Sequence, residues 1–122
     1  MKRAAVALAM AAIGMSGCAI DAATSGFDLT EFAVDGPGSL SAETKAVQVS
    51  NHGQFPHTLV VTDHQGQVVA NTDLLQPGES VSLELDVDPG TYQFTCRIVT
   101  EIEGGAIIDH FQEGMSATVD VN

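Results

Sequence analysis

Tryptophan is absent from this sequence, tyrosine occurs once, and only four basic residues stand against sixteen acidic ones. With no Trp, a core has to rest on Val, Leu, Ile and the five Phe. The net charge of −12 repels nucleic acid and anionic lipid, so neither is an expected partner. Such a charge favours a partner with a basic surface, met in fast, salt-sensitive encounters. Plain solubility is the competing explanation. No glycine-rich phosphate loop, paired carboxylates or Ser-His-Asp arrangement stands out, so no enzyme active site is expected. Helical periodicity is weak beyond residue 26.

Long apolar runs are also missing, apart from one at the start. Lys2 and Arg3 precede Ala4–Met15, a run of small apolar residues too short for a membrane span, which needs roughly 20. This is the build of a signal peptide over residues 1–17. Met15-Ser16-Gly17-Cys18 resembles a bacterial lipobox, which implies that Cys18 is acylated and anchors the chain to a membrane. An ordinary leader cut a few residues later is the alternative. Residues 18–26 then form a lipidated start and a short tether, and 27–122 a single domain. All sixteen acidic residues lie beyond Cys18, whereas only Lys45 and Arg97 of the basic ones do. An exported, lipid-anchored protein facing the periplasm or the extracellular side is therefore expected, as a monomer.

What the remaining chain does contain is short alternating runs between Gly, Pro, Asn and Asp. Candidate strands are Phe27–Val34, Thr44–Ser50, His57–Thr62, Gln67–Asn71, Ser80–Val87, Thr91–Val99 and Ala117–Val121. Val81, Leu83, Leu85 and Val87 alternate onto one face. This spacing predicts an all-β Greek-key sandwich.

If Cys18 is lipidated, Cys96 is the one thiol left in an exported domain, a situation that a metal would explain. A Cys18–Cys96 disulfide is the competing reading. With the leader removed, Met115 is the one remaining methionine. His57, Cys96, His110 and Met115 supply two imidazoles, a soft thiolate and a weak thioether, the donor set of an electron-transfer copper site. Zinc prefers four strong donors, and Met is a poor fourth. Each residue alone has a plainer use: a capping histidine, a small core thiol, a gap-filling methionine, a loop histidine. His52 and His64 read as surface residues, although His52 lies close enough in sequence to stand in for His57.

The surrounding residues carry a resemblance. Asn51-His52-Gly53-Gln54-Phe55-Pro56-His57 resembles the Asn-x-Gly-Phe-Pro-His segment of plastocyanin-like cupredoxins, with one residue added after Gly53. Gly90-Thr91-Tyr92-Gln93-Phe94-Thr95-Cys96 is similar to their Gly-x-Tyr-x-Phe-x-Cys strand, and His110 to Met115 to their His-x4-Met ending. The resemblance implies a β-sandwich with one type 1 copper ion at one end. It implies imidazole ligands from His57 and His110, the latter at the surface as electron port, the thiolate of Cys96, and Met115 as long axial ligand. It also implies single-electron exchange with a redox partner protein.

Two features depart from the family. Thr58 stands where Asn or Ser is usual, and its hydroxyl is expected to bond to the loop carrying Cys96. Thirteen residues separate Cys96 from His110 where the family generally has a few. Ile, Val and Thr on either side of Gly104-Gly105 predict a β-hairpin over about 97–109. A Gly104-Gly105 turn would set His110 opposite Val99, too far along the strand from Cys96. A Glu103-Gly104 turn, or a bulge, would set it opposite Arg97, next to Cys96, and one of these is the expected arrangement. Ile102, Ile107, Ile108 and Phe111 either form an exposed patch ringed by Glu101, Glu103, Asp109 and Glu113 or fold back on the core. Two other functions use the same residues: a copper carrier or buffer, and a sandwich that binds no metal and serves as an interaction module.

Overall fold

Alternation of apolar and polar residues buries one side of each strand, and two such faces close on each other. The computed structural model describes residues 25–122. Residues 1–17 and Cys18, with the leader and acylation expected of them, lie outside the described residues. The end of the expected tether does not trail: Ser25 and Gly26 open the first strand, β1 (Ser25–Thr30), and pair with Val47 and Gln48.

The chain continues as β2 (Ala33–Asp35), β3 (Ser39–Leu40), β4 (Ala46–Asn51), β5 (Val60–Thr62), β6 (Val68–Asn71), β7 (Ser80–Glu84), β8 (Gly90–Thr95), β9 (Val99–Glu101), β10 (Ile107–Asp109) and β11 (Ser116–Val121). One sheet runs β2-β1-β4-β7 and the other β3-β11-β8-β5-β6. The expected all-β sandwich therefore forms, with mixed rather than purely antiparallel sheets: β1 lies parallel to β4, and β3 to β11. Phe27, Leu29, Val47 and Val49 from one sheet meet Val61, Phe94 and Val119 from the other, all buried. Phe27 and Phe94 join the layers ring to ring, with centroids 4.7 Å apart.

Three expected strands change in ways that build the site. The Phe27–Val34 run breaks at Glu31-Phe32, where a two-residue turn folds β2 back on β1. Phe32 takes a φ of 66°, a left-handed conformation that costs an aromatic residue roughly 1–3 kcal/mol. The expected strand from His57 starts only at Val60, because His57 pairs with Leu75 instead. Pro56 before it has no N–H to offer a ladder. The run through Val99 stops at Thr95, and Val99 belongs to a separate hairpin of β9 and β10 that pairs with neither main sheet. Val81, expected on the core face of β7, is partly exposed, while Leu83 and Leu85 are buried.

The ring of Phe94 fills the contact between the sheets. Phe94→Ala is expected to lower the stability of the metal-free protein by about 3–5 kcal/mol. Val68→Ala, on the exposed edge strand β6, is expected to stay within about 0.5 kcal/mol. Urea unfolding of the two variants checks both values.

Candidate metal centre

The ends of strands deliver the candidate ligands to one end of the sandwich. Cys96 follows β8 directly, and its N–H donates to Met115 O over 3.1 Å. The N–H of Met115 donates in turn to His110 O, also over 3.1 Å. These two bonds fasten His110 and Met115 to the end of β8. Between them Asp109 caps the turn, its Oδ1 accepting from the N–H groups of Phe111 and Gln112. His57 arrives from another direction. Its N–H donates to Leu75 O over 3.0 Å, and its carbonyl accepts from Leu75 N–H over 2.8 Å. The buried Asn51 holds this loop, with Nδ2 donating to Phe55 O and Leu75 O and Oδ1 accepting from Gly53 N–H.

The result is a closed cluster. His57, Cys96, His110 and Met115 are each fully buried. The ligand atoms of His57, Cys96 and His110 lie within 4.8 Å of one another. Nδ1 of His57 stands 3.2 Å from Nδ1 of His110, and Cys96 Sγ lies 3.8 and 3.6 Å from these two nitrogens. Nitrogen and sulfur donors about 2.0–2.3 Å from one shared ion stand at comparable separations, so the three donors fit a single metal. Met115 neighbours Cys96 where β11 meets β8. His52 and His64 are on the surface, His52 facing Asp28 at 3.3 Å. Among the described residues Thr58 makes no hydrogen bond to the Cys96 loop.

Three features were not visible in the sequence. The first is Glu31, whose Oε1 lies 3.2 Å from His57 Nε2 and accepts the N–H groups of Gln54 and Phe55. Gln54 is the residue added to the family segment, and Glu31 is what occupies its N–H. A Cβ on Gly53 would press on that carboxylate and lie 2.8 Å from His57 Nε2, so only glycine fits there. No local pattern marks Glu31, a polar residue within the alternating run Phe27–Val34. The second is Phe32, whose ring meets the His110 ring edge-on at 5.2 Å.

The third is the hairpin register. Ile107 pairs with Glu101, Ile108 with Thr100 and Asp109 with Val99, and His110 N–H donates to Ile98 O. His110 therefore faces Ile98, neither Val99 nor Arg97, which corrects both expected registers. The cause is a three-residue turn, Glu103 to Gly105, closed by Gly105 N–H to Ile102 O, with Gly104 and Gly105 both at positive φ. This register buries His110, and the surface position implied by the resemblance is not the one it occupies.

Burial pushes the pKa of His57 below its ordinary 6.5, against an upward pull from the Glu31 carboxylate. Burial and the neighbouring His57 also lower that of His110, against Asp109 and Glu31. For Glu31 burial acts upward, but hydrogen bonds from Gln54 N–H, His57 and Phe55 N–H outweigh it and hold the carboxyl below 4.5. In each case the unfolded chain binds more protons than the folded one as pH falls through the ordinary value. Stability is therefore fully present above about pH 6.5 and is lost on acidification, with a further loss below about pH 4.5. For the metal-free protein, the melting temperature is expected to fall steadily from about pH 7 to pH 4; a flat profile between about pH 7 and 5 would contradict this account.

No family model and no curated protein matches the sequence. Solved structures do match. The purple cupredoxin from Nitrosopumilus maritimus is 18% identical, with a TM-score of 0.50 over 81% of this chain and 98% of that one. A proline-to-glycine mutant of amicyanin, in its reduced Cu(I) form at pH 4, is 15% identical with a TM-score of 0.52 over 80% of each chain. The Cu(I) form of a methionine-to-alanine mutant of amicyanin is 14% identical with a TM-score of 0.52, over 82% and 83%. At these identities the likeness is one of fold. The chain has a cupredoxin-like β-sandwich, and His57, Cys96 and His110 form a cluster whose donors are consistent with a single type 1 copper site.

Proposed function

We propose that this protein carries single electrons between redox partners outside the cytoplasm, using one copper ion held by His57, Cys96 and His110 with Met115 as axial ligand. The observation that supports this reading is the convergence of a thiol and two imidazole Nδ1 atoms in a site closed to water. Copper supplies a reversible one-electron couple there. The chain supplies a donor set acceptable to both oxidation states: imidazole suits the oxidised ion, and thiolate and thioether the reduced one. Backbone bonds to the surrounding strands hold the donors in place, so little has to move when charge changes. Complete burial of all four residues favours retention of the ion, and thus an electron carrier over a copper carrier that must release its cargo. Export and membrane attachment through an acylated Cys18 belong to the same reading, with residues 27–122 as the working domain.

The outer face of the hairpin suits a redox partner with a basic rim around an apolar centre. Across its two strands Arg97 stacks on Phe111, Val99 faces Asp109 and Glu101 faces Ile107. Val99 is 58% exposed and Ile107 61%. Of the expected patch, Ile102, Ile107 and Phe111 are exposed and Ile108 turns inward. Glu101, Glu103 and Glu113 add exposed negative charge around them.

Two outcomes follow. Addition of Cu(II) to the purified protein should produce an intense visible thiolate-to-copper band that Cys96→Ser abolishes. A wild-type protein with no such band and no copper uptake defeats the reading. Electron exchange with a basic cytochrome c should slow as salt is raised, and Glu101→Lys should slow it at low salt by about tenfold while leaving the band unchanged. Stopped-flow measurement at several ionic strengths decides this.

A further inference from the structure

The two imidazoles of the site have different partners at their outer nitrogens. Nε2 of His57 faces the carboxylate of Glu31, and an ionised carboxylate only accepts. His57 therefore carries its hydrogen on Nε2 and presents a bare Nδ1 to the cluster. Nε2 of His110 faces a hydroxyl, Thr100 Oγ1, at 2.8 Å. A hydroxyl both donates and accepts.

The distinction matters because the two Nδ1 atoms are 3.2 Å apart. In the metal-free protein that contact needs a hydrogen between them. His57 Nδ1 has none, so His110 Nδ1–H donates to it. The outer nitrogen of His110 is then a bare acceptor, and Thr100 O–H must donate to it. Once an ion takes the lone pairs of both Nδ1 atoms, the His110 hydrogen belongs on Nε2, and Thr100 Oγ1 must accept it.

We propose that Thr100 is a positioning residue that serves His110 in both neutral tautomers, donating its hydroxyl hydrogen to Nε2 before metal binds and accepting the Nε2 hydrogen afterwards. The imidazole keeps one hydrogen throughout, moved from Nδ1 to Nε2. His110 itself is fully buried, with Phe32, Phe55 and His57 around its ring, so Thr100 takes the place of water at Nε2.

The hairpin register is what makes the contact. Residues directly opposite in an antiparallel pair share a face, and a one-residue slip reverses every side chain. With His110 facing Ile98 and Ile108 facing Thr100, His110 and Thr100 are diagonal neighbours on the inner face. With His110 opposite either Arg97 or Val99, Thr100 would point to the other side. The turn of three residues, with glycine in its last two positions, is therefore tied to the hydrogen bond that Thr100 makes.

The proposal rests on the metal-binding reading above but is tested apart from it. Long-range 1H–15N correlation spectra of the intact protein, metal-free and Cu(I)-loaded, report which ring nitrogen of His110 is protonated. The expected result is Nδ1 without metal and Nε2 with it. Thr100→Val is expected to weaken Cu(I) binding by about 10–100-fold and Thr100→Ser to restore it. A His110 protonated on Nε2 in both states overturns the proposal, as does equal Cu(I) affinity for the Val and Ser variants. If Thr100→Val does not fold, the wild-type spectra alone decide. A protein that shows the tautomer change but no visible band sinks the electron-transfer reading and leaves this proposal standing. A blue protein whose His110 never changes tautomer does the reverse.

Discussion

Two imidazole rings shut away from water need a partner at all four of their nitrogens, and much of the architecture around the site answers that need. The inner pair of nitrogens face each other and Cys96. The outer pair require groups from elsewhere in the chain, because a buried ring nitrogen left unpaired costs about 1–3 kcal/mol. Glu31 comes from the turn between β1 and β2, and Thr100 from the hairpin. Neither belongs to the segments that carry the ligands. The two departures from a simple run of strands, an early break and a long insertion, each end at one outer nitrogen.

The early break carries strain. Phe32 is the one non-glycine at positive φ among the described residues, and it sits in the turn that presents Glu31. The same residue lays its ring against His110 and near Phe55. Aromatic contacts of this kind contribute about 0.5–1.5 kcal/mol beyond the area they bury, so packing offsets a good part of the backbone cost. Strain placed beside the ligands, where surrounding contacts over-determine it, fits a site whose donors are held rigidly.

Much of this was legible in the sequence. Period-two alternation placed Val81, Leu83, Leu85 and Val87 on one face, of which Leu83 and Leu85 are buried and Val81 is exposed, and the Gly-x-Tyr-x-Phe-x-Cys strand and the Phe-Pro-His segment pointed to Cys96 and His57. What stayed hidden depends on tertiary pairing. Glu31 acts across a distance of 26 residues in sequence, with nothing local to mark it. Glu31-Phe32 has none of the usual turn residues, so the alternating run Phe27–Val34 reads as one strand. The hairpin was visible from its glycines, but its register was not, since two-residue and three-residue turns draw on the same residues. That single step decided whether His110 lay in or out. Phe111 and Ile107 stayed outside, while Ile108 turned in, a split fixed by the same pleat.

The hairpin forms no ladder with either main sheet, so its length is uncoupled from the sandwich. Insertions or deletions at its tip, around Gly104, would leave the strand pairs of the two main sheets in place. Trimmed back past Thr100, the same framework would leave a histidine whose outer nitrogen opened to solvent. The segment between Cys96 and His110 is thus a place where descendants of one sandwich could exchange a sealed ligand for a wet one without rebuilding the core.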